Sequence, residues 1–519
     1  MRLGLLAALF IAVGTIVLIP GPEERAARAR PTPPSTSSFG SPIAPPPRPV
    51  AVDIGVAPRA RPVNVPHSFL GISTEYWALP IWERQPDVLN RVLSLLHSPG
   101  DAPLIVRIGG DSADETLWKP KMRKVPEWAF ELTSSWLDGA AALVNGAAVR
   151  LILDLNLVTA TPAVAAEWAR AAEAALPPGS IAGLEIGNEP DLYNRKYWIS
   201  VVEGQSVGTA LLPRQLLAGD YAHDFRAYAR ELSQARQRTP LLGPAVAGAY
   251  LGVKWIMRLL ASPHPGLRTI STHRYPYSAC ALPGTPGWPT IPRVLSPTAT
   301  SGVAQALAPA IRVAHHAGLL FRLTEMNSVT CGGRRGVSDT FATALWAPDA
   351  LFELIRGGVD AVNVHIRPRT INPAFTLGAQ GLDARPLLYG LMMYTRTLGP
   401  GARLVPLQVG ARHAPALKAW AVRVRGDALH VLLIDKGNQP VTTSLHFPTR
   451  GPATIQRLIA PSVRSKQGVT LAGQWLGVDG TWQGPRTTET VRLVAGGYRV
   501  TVPAHSEALV IAHLRGGVR

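Results

Sequence analysis

Eight short apolar runs, each followed by a longer Ala/Leu-rich amphipathic stretch, constrain this chain more than any other feature of its sequence. The runs are Ser68 to Ser73, Leu104 to Ile108, Val149 to Leu155, Ile181 to Ile186, Pro240 to Val246, Thr269 to His273, Leu319 to Thr324 and Val359 to His365. Strand-length apolar runs separated by helix-length segments build parallel sheets. Eight such units with polar and aromatic residues at the strand ends predict a (β/α)8 barrel over residues 67–400, with its functional face at the C-terminal strand ends. An open doubly wound sheet is the alternative, but Gly71-Ile72-Ser73-Thr74-Glu75 lacks the glycine spacing of a phosphate loop after the first strand. One helix is expected to start at Ser338-Asp339, as a capping site, and to stop at Gly357-Gly358.

From about residue 401 the pattern changes to short alternating segments, Lys418 to Arg425, Ala428 to Asp435, Thr442 to Phe447, Thr488 to Leu493 and Tyr498 to Val502. These predict an antiparallel β-sandwich over 401–519. Val50 to Val56 alternates in the same way, so residues 49–66 are expected to add strand to that sandwich. The module shows no aromatic platform, which favours a structural role for it over carbohydrate binding.

The N-terminus reads as an export element. Arg2 precedes an uncharged apolar run, Leu3 to Ile19, and eight prolines lie between Pro31 and Pro49. Residues 1–30 are expected to be a signal peptide or an uncleaved membrane anchor through residues 3–19, and 31–48 a tether. The protein is then secreted or membrane-anchored, outside the cytoplasm. In such a compartment the two cysteines, Cys280 and Cys331, each just beyond a predicted strand end, suit a disulfide between neighbouring loops; two free thiols are the alternative. Neither cysteine has the spacing of a metal site. The net charge of +18 comes from scattered basic residues, and no nucleic-acid-binding signature accompanies it.

The chemistry sits at the strand ends. Glu189 in Ile-Gly-Asn-Glu-Pro closes the fourth run and Glu325 in Leu-Thr-Glu-Met-Asn the seventh, on opposite sides of one barrel mouth. Two facing carboxylates are what cleavage of a glycosidic bond needs, one as acid then base, the other as nucleophile. That chemistry calls for no metal and no organic cofactor. Asn188 is placed to bond a sugar hydroxyl, and Tyr275 to donate to a carboxylate and keep it ionised. His273 is placed to contact substrate or to pack at the barrel rim, and Arg107 to lower the pKa of Glu325 or brace the strand ends. Glu75 is placed to accept from sugar hydroxyls, with Tyr76 and Trp77 beside it either as stacking surfaces for a pyranose ring or as loop packing.

Five segments taken together resemble glycoside hydrolase family 79, the family of heparanases and exo-β-glucuronidases within a large clan of retaining barrels. They are Phe69-Leu70 with Glu75, Arg107-Ile108-Gly109-Gly110, Gly187-Asn188-Glu189-Pro190, His273-Arg274-Tyr275, and Cys331-Gly332-Gly333 followed by Ser338-Asp339-Thr340-Phe341-Ala342. The resemblance implies that Glu189 is the acid/base and Glu325 the nucleophile. It also implies that Glu75, Asn188, His273, Tyr275 and the backbone of Gly332 and Gly333 line the glycone subsite. Two departures bear on the sugar. The loop after the eighth strand lacks the tyrosine that reads a uronic carboxylate in the family, leaving Arg367 or Arg369 as replacements. Asp111 adds a negative charge after the double glycine. The expected activity is that of a β-glucuronidase on a glucuronide or acidic glycan. The alternatives are a β-glycosidase for a neutral sugar and a tethered glycan-binding protein without turnover.

Overall fold

Burial on both faces explains why the barrel strands form at the apolar runs. In the computed structural model the described residues are 50–57, 61–118, 129–193, 218–410 and 416–515. The barrel strands are β1 (Leu70–Glu75), β2 (Ile105–Gly109), β3 (Arg150–Leu155), β4 (Ile181–Ile186), β5 (Leu241–Val246), β6 (Leu267–Arg274), β7 (Leu320–Met326) and β8 (Ala361–His365). They pair in sequence order, all parallel, and β8 closes on β1. The inner floor of the barrel is apolar, with Ile105, Ile152 and Leu242 in one cluster. Two residues further along β2 and β3, the same inward face presents Arg107 and Asp154, because alternate residues of a strand share a face. The polar layer that carries the site therefore rests directly on an apolar one.

Helices follow the strands. Ser134–Ala147 begins behind Thr133, whose hydroxyl accepts from Trp136 N–H at 3.2 Å, and Pro162–Ala175 begins behind Thr161 with proline at its first turn. The helix after β7, α1 (Ala342–Arg356), starts four residues later than the Ser338 expected from sequence. Ser338 and Asp339 are engaged in the preceding turn instead, where they accept from the N–H groups of Arg334 and Gly336. The helix entrance is satisfied from the other domain: Phe341 N–H donates to Ser465 O and Ala342 N–H to Val463 O.

The C-terminal region is a β-sandwich. One sheet is ordered Leu407–Val409, Val50–Val56, Val441–His446, Tyr498–Val502. The other runs from Val63–Asn64 through Arg403–Val405, Leu417–Val424, Ala428–Asp435, Ser506–Leu514 and Thr449–Ile459 to Thr470–Leu471. Val52, Ile54 and Val500 of the first sheet share a core with Val431, Ile455 and Val510 of the second. The pairing is antiparallel except that Val50–Val56 runs parallel to Val441–His446, a contact that chain returning from the far side of the barrel makes possible.

The other face of the larger sheet packs on the barrel. Trp420 stacks on Phe352 of α1 at 5.4 Å between ring centroids, and its indole N–H donates to buried Asp349 at 3.0 Å. A second helix, α2 (Pro386–Thr397), is buried along all but one of its residues. A helix apolar all round needs cover on every side. A fragment ending at residue 400 is thus expected to be insoluble or molten, as judged by expression and near-ultraviolet circular dichroism, while residues 49–519 fold. The expected signal or anchor (1–30) and tether (31–48) lie outside the described residues. Among the described residues no helix is long and apolar enough to cross a membrane.

Candidate active site

Arg107 is the hub from which the site is built. Its side chain is fully buried, and its donors reach four neighbouring elements. Nε donates to Glu185 Oε2 (2.7 Å), Nη2 to Asp154 Oδ2 (2.7 Å) and Asn188 Oδ1 (3.0 Å), and Nη1 to Glu325 Oε2 (3.2 Å) and Ser73 Oγ (3.3 Å). A guanidinium has five N–H groups, and all are used. Arg107 therefore braces the strand ends and faces Glu325 at once. Its partners Asp154 and Glu185 were not singled out from sequence, although a carboxylate inside an apolar strand run is a signal for a buried ion pair.

Glu325, at the end of β7, accepts from Tyr275 O–H on Oε1 at 2.5 Å, while His365 Nδ1 stands 2.8 Å from Oε2. Burial alone raises this carboxyl, but the charges of His365, His273 and Arg107 outweigh it and hold the group well below the ordinary carboxylate range. His365 closes β8 and was not named as a site residue from sequence. Its position at a strand end is the same signal that marked the others. Burial pulls its pKa down, and the charges of Glu325 and Glu75 more than restore it.

Glu189 faces Glu325 across the mouth. It has φ 47°, a left-handed conformation costly for a residue with a Cβ and typical of functional turns. Pro190 leads the following turn, and Asp191 pins it by accepting from Ala247 and Gly248 N–H. Burial, with added repulsion from Glu325, pushes the Glu189 carboxyl up to about 7 despite His273, whose Nδ1 lies 2.9 Å from Oε1 in a hydrogen bond. One carboxylate oxygen from each glutamate and a ring nitrogen of His273 all fall within 4.8 Å of one another. Two carboxylates and an imidazole are also a donor set for a divalent cation. Here, however, that imidazole is engaged with Glu189, and a cation would sit against Arg107 and His365.

A cavity of about 350 Å³ opens between the two glutamates, with Asn188, Tyr275, His365 and Arg367 among its lining. Cys280, Cys331 and Gly332 form part of one wall, where the two cysteines are joined in a disulfide. Gly333 is not part of that wall. Its φ is 84°, and a Cβ there would stand 2.6 Å from Asn372, so the glycine lets the loops after β7 and β8 close on each other.

Not every residue expected at the site reaches the cavity. Glu75 and His273 are fully buried and outside the cavity lining: Glu75 accepts from Ser112 N–H at 2.9 Å, and His273 meets Glu189. Gly110 has to be glycine beside Glu75, because a Cβ would come within 2.9 Å of its carboxylate. Tyr76 is a core residue that donates to Asp154 O and packs on Trp136, so it offers no stacking face. Arg369 points to solvent outside the cavity lining, whereas Arg367 is in it and pairs with Asp111 at 2.8 Å.

Residues 419–510 match the Glycosyl hydrolase family 79 C-terminal beta domain. No curated protein matches the chain in sequence. In fold it is similar to a 4-O-alpha-L-rhamnosyl-beta-D-glucuronidase from Fusarium oxysporum 12S, with 17% identity, 89% of this chain and 100% of that one covered, and a TM-score of 0.71. It is also similar to a GH51 arabinofuranosidase from Xanthomonas axonopodis pv. citri, with 16% identity, 89% and 100% coverage and a TM-score of 0.64. An alpha-L-arabinofuranosidase from Thermotoga maritima gives the same identity, coverage and score. At these identities the likeness is one of fold: a closed eight-stranded parallel barrel with an antiparallel β domain, shared with glycoside hydrolases.

Proposed function

We propose that this chain, with a family 79 β domain set against a (β/α)8 barrel, is a retaining β-glycosidase acting by double displacement, and that its substrate is a β-glucuronide. The observation that carries the reaction type is the spacing and opposite tuning of the two glutamates. Nearest oxygens within 4.8 Å suit the roughly 5–5.5 Å carboxyl separation of retaining enzymes better than the about 6.5–9.5 Å of inverting ones. The tuning fits the roles. Glu325, held ionised by His365, His273 and Arg107, attacks the anomeric carbon, and Glu189, held protonated to about pH 7 by burial, gives its proton to the leaving oxygen. Asn188, whose amide oxygen is fixed by Arg107, keeps its NH2 for a sugar hydroxyl. Glu75 and His273 position the groups in front of them. Arg367 supports the uronic acid as glycone.

A second reading, a neutral glycone on the same mechanism, is favoured by one observation: Asp111 already occupies Arg367. Hydrolysis of chromogenic β-glycosides by residues 49–519 separates the two, comparing glucuronide with glucoside, galactoside, xyloside and arabinoside. Glucuronide-selective turnover supports the first reading and neutral-selective turnover the second. Silence across the panel turns attention to binding without turnover. For whichever glycoside is cleaved, kcat/KM is expected to be bell-shaped in pH. Its alkaline limb falls near pH 7, since the acid form of Glu189 is needed and is lost as pH rises through about 7. The acid limb lies below the usual carboxylate range, because Glu325 has to stay ionised. An alkaline limb above pH 9 would remove Glu189 from the acid role.

A further inference from the structure

The proposed reaction leaves one pair in the cavity wall without a settled task. Asp111 follows Gly109-Gly110 at the end of β2, and Arg367 lies two residues past β8. Arg367 Nη1 donates to Asp111 Oδ2 at 2.8 Å, and both side chains are little more than one-third exposed, at 35% and 38%. They line the same cavity as Glu189 and Glu325. Behind them Arg367 Nε stands 3.4 Å from Oε1 of buried Glu75, and the guanidinium lies 5.9 Å from the centroid of the Trp77 ring. Glu75 in turn has His365 Nε2 at 3.7 Å. An arginine on a cavity wall is a strong reader of a ligand carboxylate when its outward edge is free. Here that edge already carries a carboxylate, and a second lies behind it.

We infer that Asp111 sets the charge preference of the glycone subsite by holding Arg367 and offsetting its field, so that a uronic carboxylate loses to Asp111 much of what it gains from Arg367. This inference rests on the glycosidase reading and deepens it. Asp111 is a positioning residue on this account, acting on the sugar through the guanidinium. A ligand carboxylate entering the subsite has to share Arg367 with Asp111, and juxtaposed like charges across an interface are costly. A neutral glycone meets no such competition. The same charge reaches further, since Asp111 is one of the groups that hold the Glu189 carboxyl up.

The test measures kcat/KM for p-nitrophenyl β-glucuronide and for the best neutral p-nitrophenyl β-glycoside with wild type, Asp111→Asn, Asp111→Glu and the double variant Asp111→Asn/Arg367→Ala. Asp111→Asn is expected to raise the glucuronide-to-neutral ratio about tenfold, chiefly through KM for the glucuronide. Asp111→Glu keeps the wild-type ratio, and the double variant loses the gain. Asp111→Asn is also expected to move the alkaline limb of the pH profile downward. Titration of glucuronate into wild type and Asp111→Asn reads the same preference without turnover, with tighter binding expected for the variant. A ratio and a glucuronate affinity that stay unchanged or fall in Asp111→Asn overturn the inference while the glycosidase reading stands. Absence of turnover on every glycoside overturns that reading, and the glucuronate titration still decides the role of Asp111.

Discussion

Glu325→Ala is expected to lower turnover on the order of 10⁴–10⁶-fold, the range seen when the nucleophile of a preorganised site is removed. Tyr275, Arg107 and His365 all converge on this carboxylate, so no neighbouring group stands ready to take its place. The chemistry offers a sharper check than loss alone. Azide supplied in solution fits the space vacated by the side chain and attacks the anomeric carbon from that side, expelling the aglycone. A β-glycoside then gives an α-glycosyl azide, whose configuration is read by nuclear magnetic resonance. Glu189→Ala given an aglycone that leaves without protonation still forms the glycosyl ester on Glu325, and azide then gives the β-glycosyl azide. Opposite anomers from the two variants are expected. The same anomer from both, or undiminished turnover in Glu325→Ala, would falsify the assignment of roles.

The largest effect on stability is expected at Arg107. Arg107→Met strips the guanidinium from Asp154 and Glu185, whose side chains are 0% exposed. Breaking a buried pair from one side costs about 3–5 kcal/mol, against a net stability of about 5–15 kcal/mol for a typical domain. Burial drives the Asp154 carboxyl well up and Arg107 pulls it back, so removing the guanidinium takes away the partner that offsets that burial. Arg107→Lys keeps the charge but offers three donors where five are used, and an intermediate loss is expected. Urea unfolding followed by tryptophan fluorescence measures both. A stability within about 1 kcal/mol of wild type for Arg107→Met would show that the hub is dispensable to the fold.

Why the barrel was legible and parts of the site were not follows from what each needs. All eight barrel strands appear within a few residues of the apolar runs that announced them, because a strand buried on both faces must be apolar nearly throughout. The sandwich was legible where burial alternates, as in Tyr498–Val502. It was missed in Thr449–Ile459, where Gly451-Pro452 reads as a turn and the register shifts between Arg450 and Thr454. It was missed again in Ser506–Leu514, whose run Ala508 to Val510 is buried on both faces. The entrance of α1 was misplaced because its cap is carbonyl oxygen from residues 463 and 465, more than one hundred positions away. Within the site, strand-end residues were visible and their depth was not. Glu75, His273 and Tyr275 all sit at strand ends, but of the three only Tyr275 lines the cavity, and the loop over Glu75 depends on Gly110. The family match at 419–510 falls on a stretch that contributed none of the barrel motifs behind the resemblance, so the two lines of support are independent.

Repulsion from Glu325 is one of the forces that keep a proton on Glu189. In the proposed reaction that force is not constant. Once Glu325 is esterified by the sugar its charge is gone, the proton of Glu189 has already left with the aglycone, and nothing from across the mouth calls it back. With that repulsion gone Glu189 is a stronger acid than before, and it meets the incoming water as an ionised carboxylate that can accept its proton. The site resets its own proton affinity between the two half-reactions through a change of charge 4.8 Å away or less, with no side chain required to move.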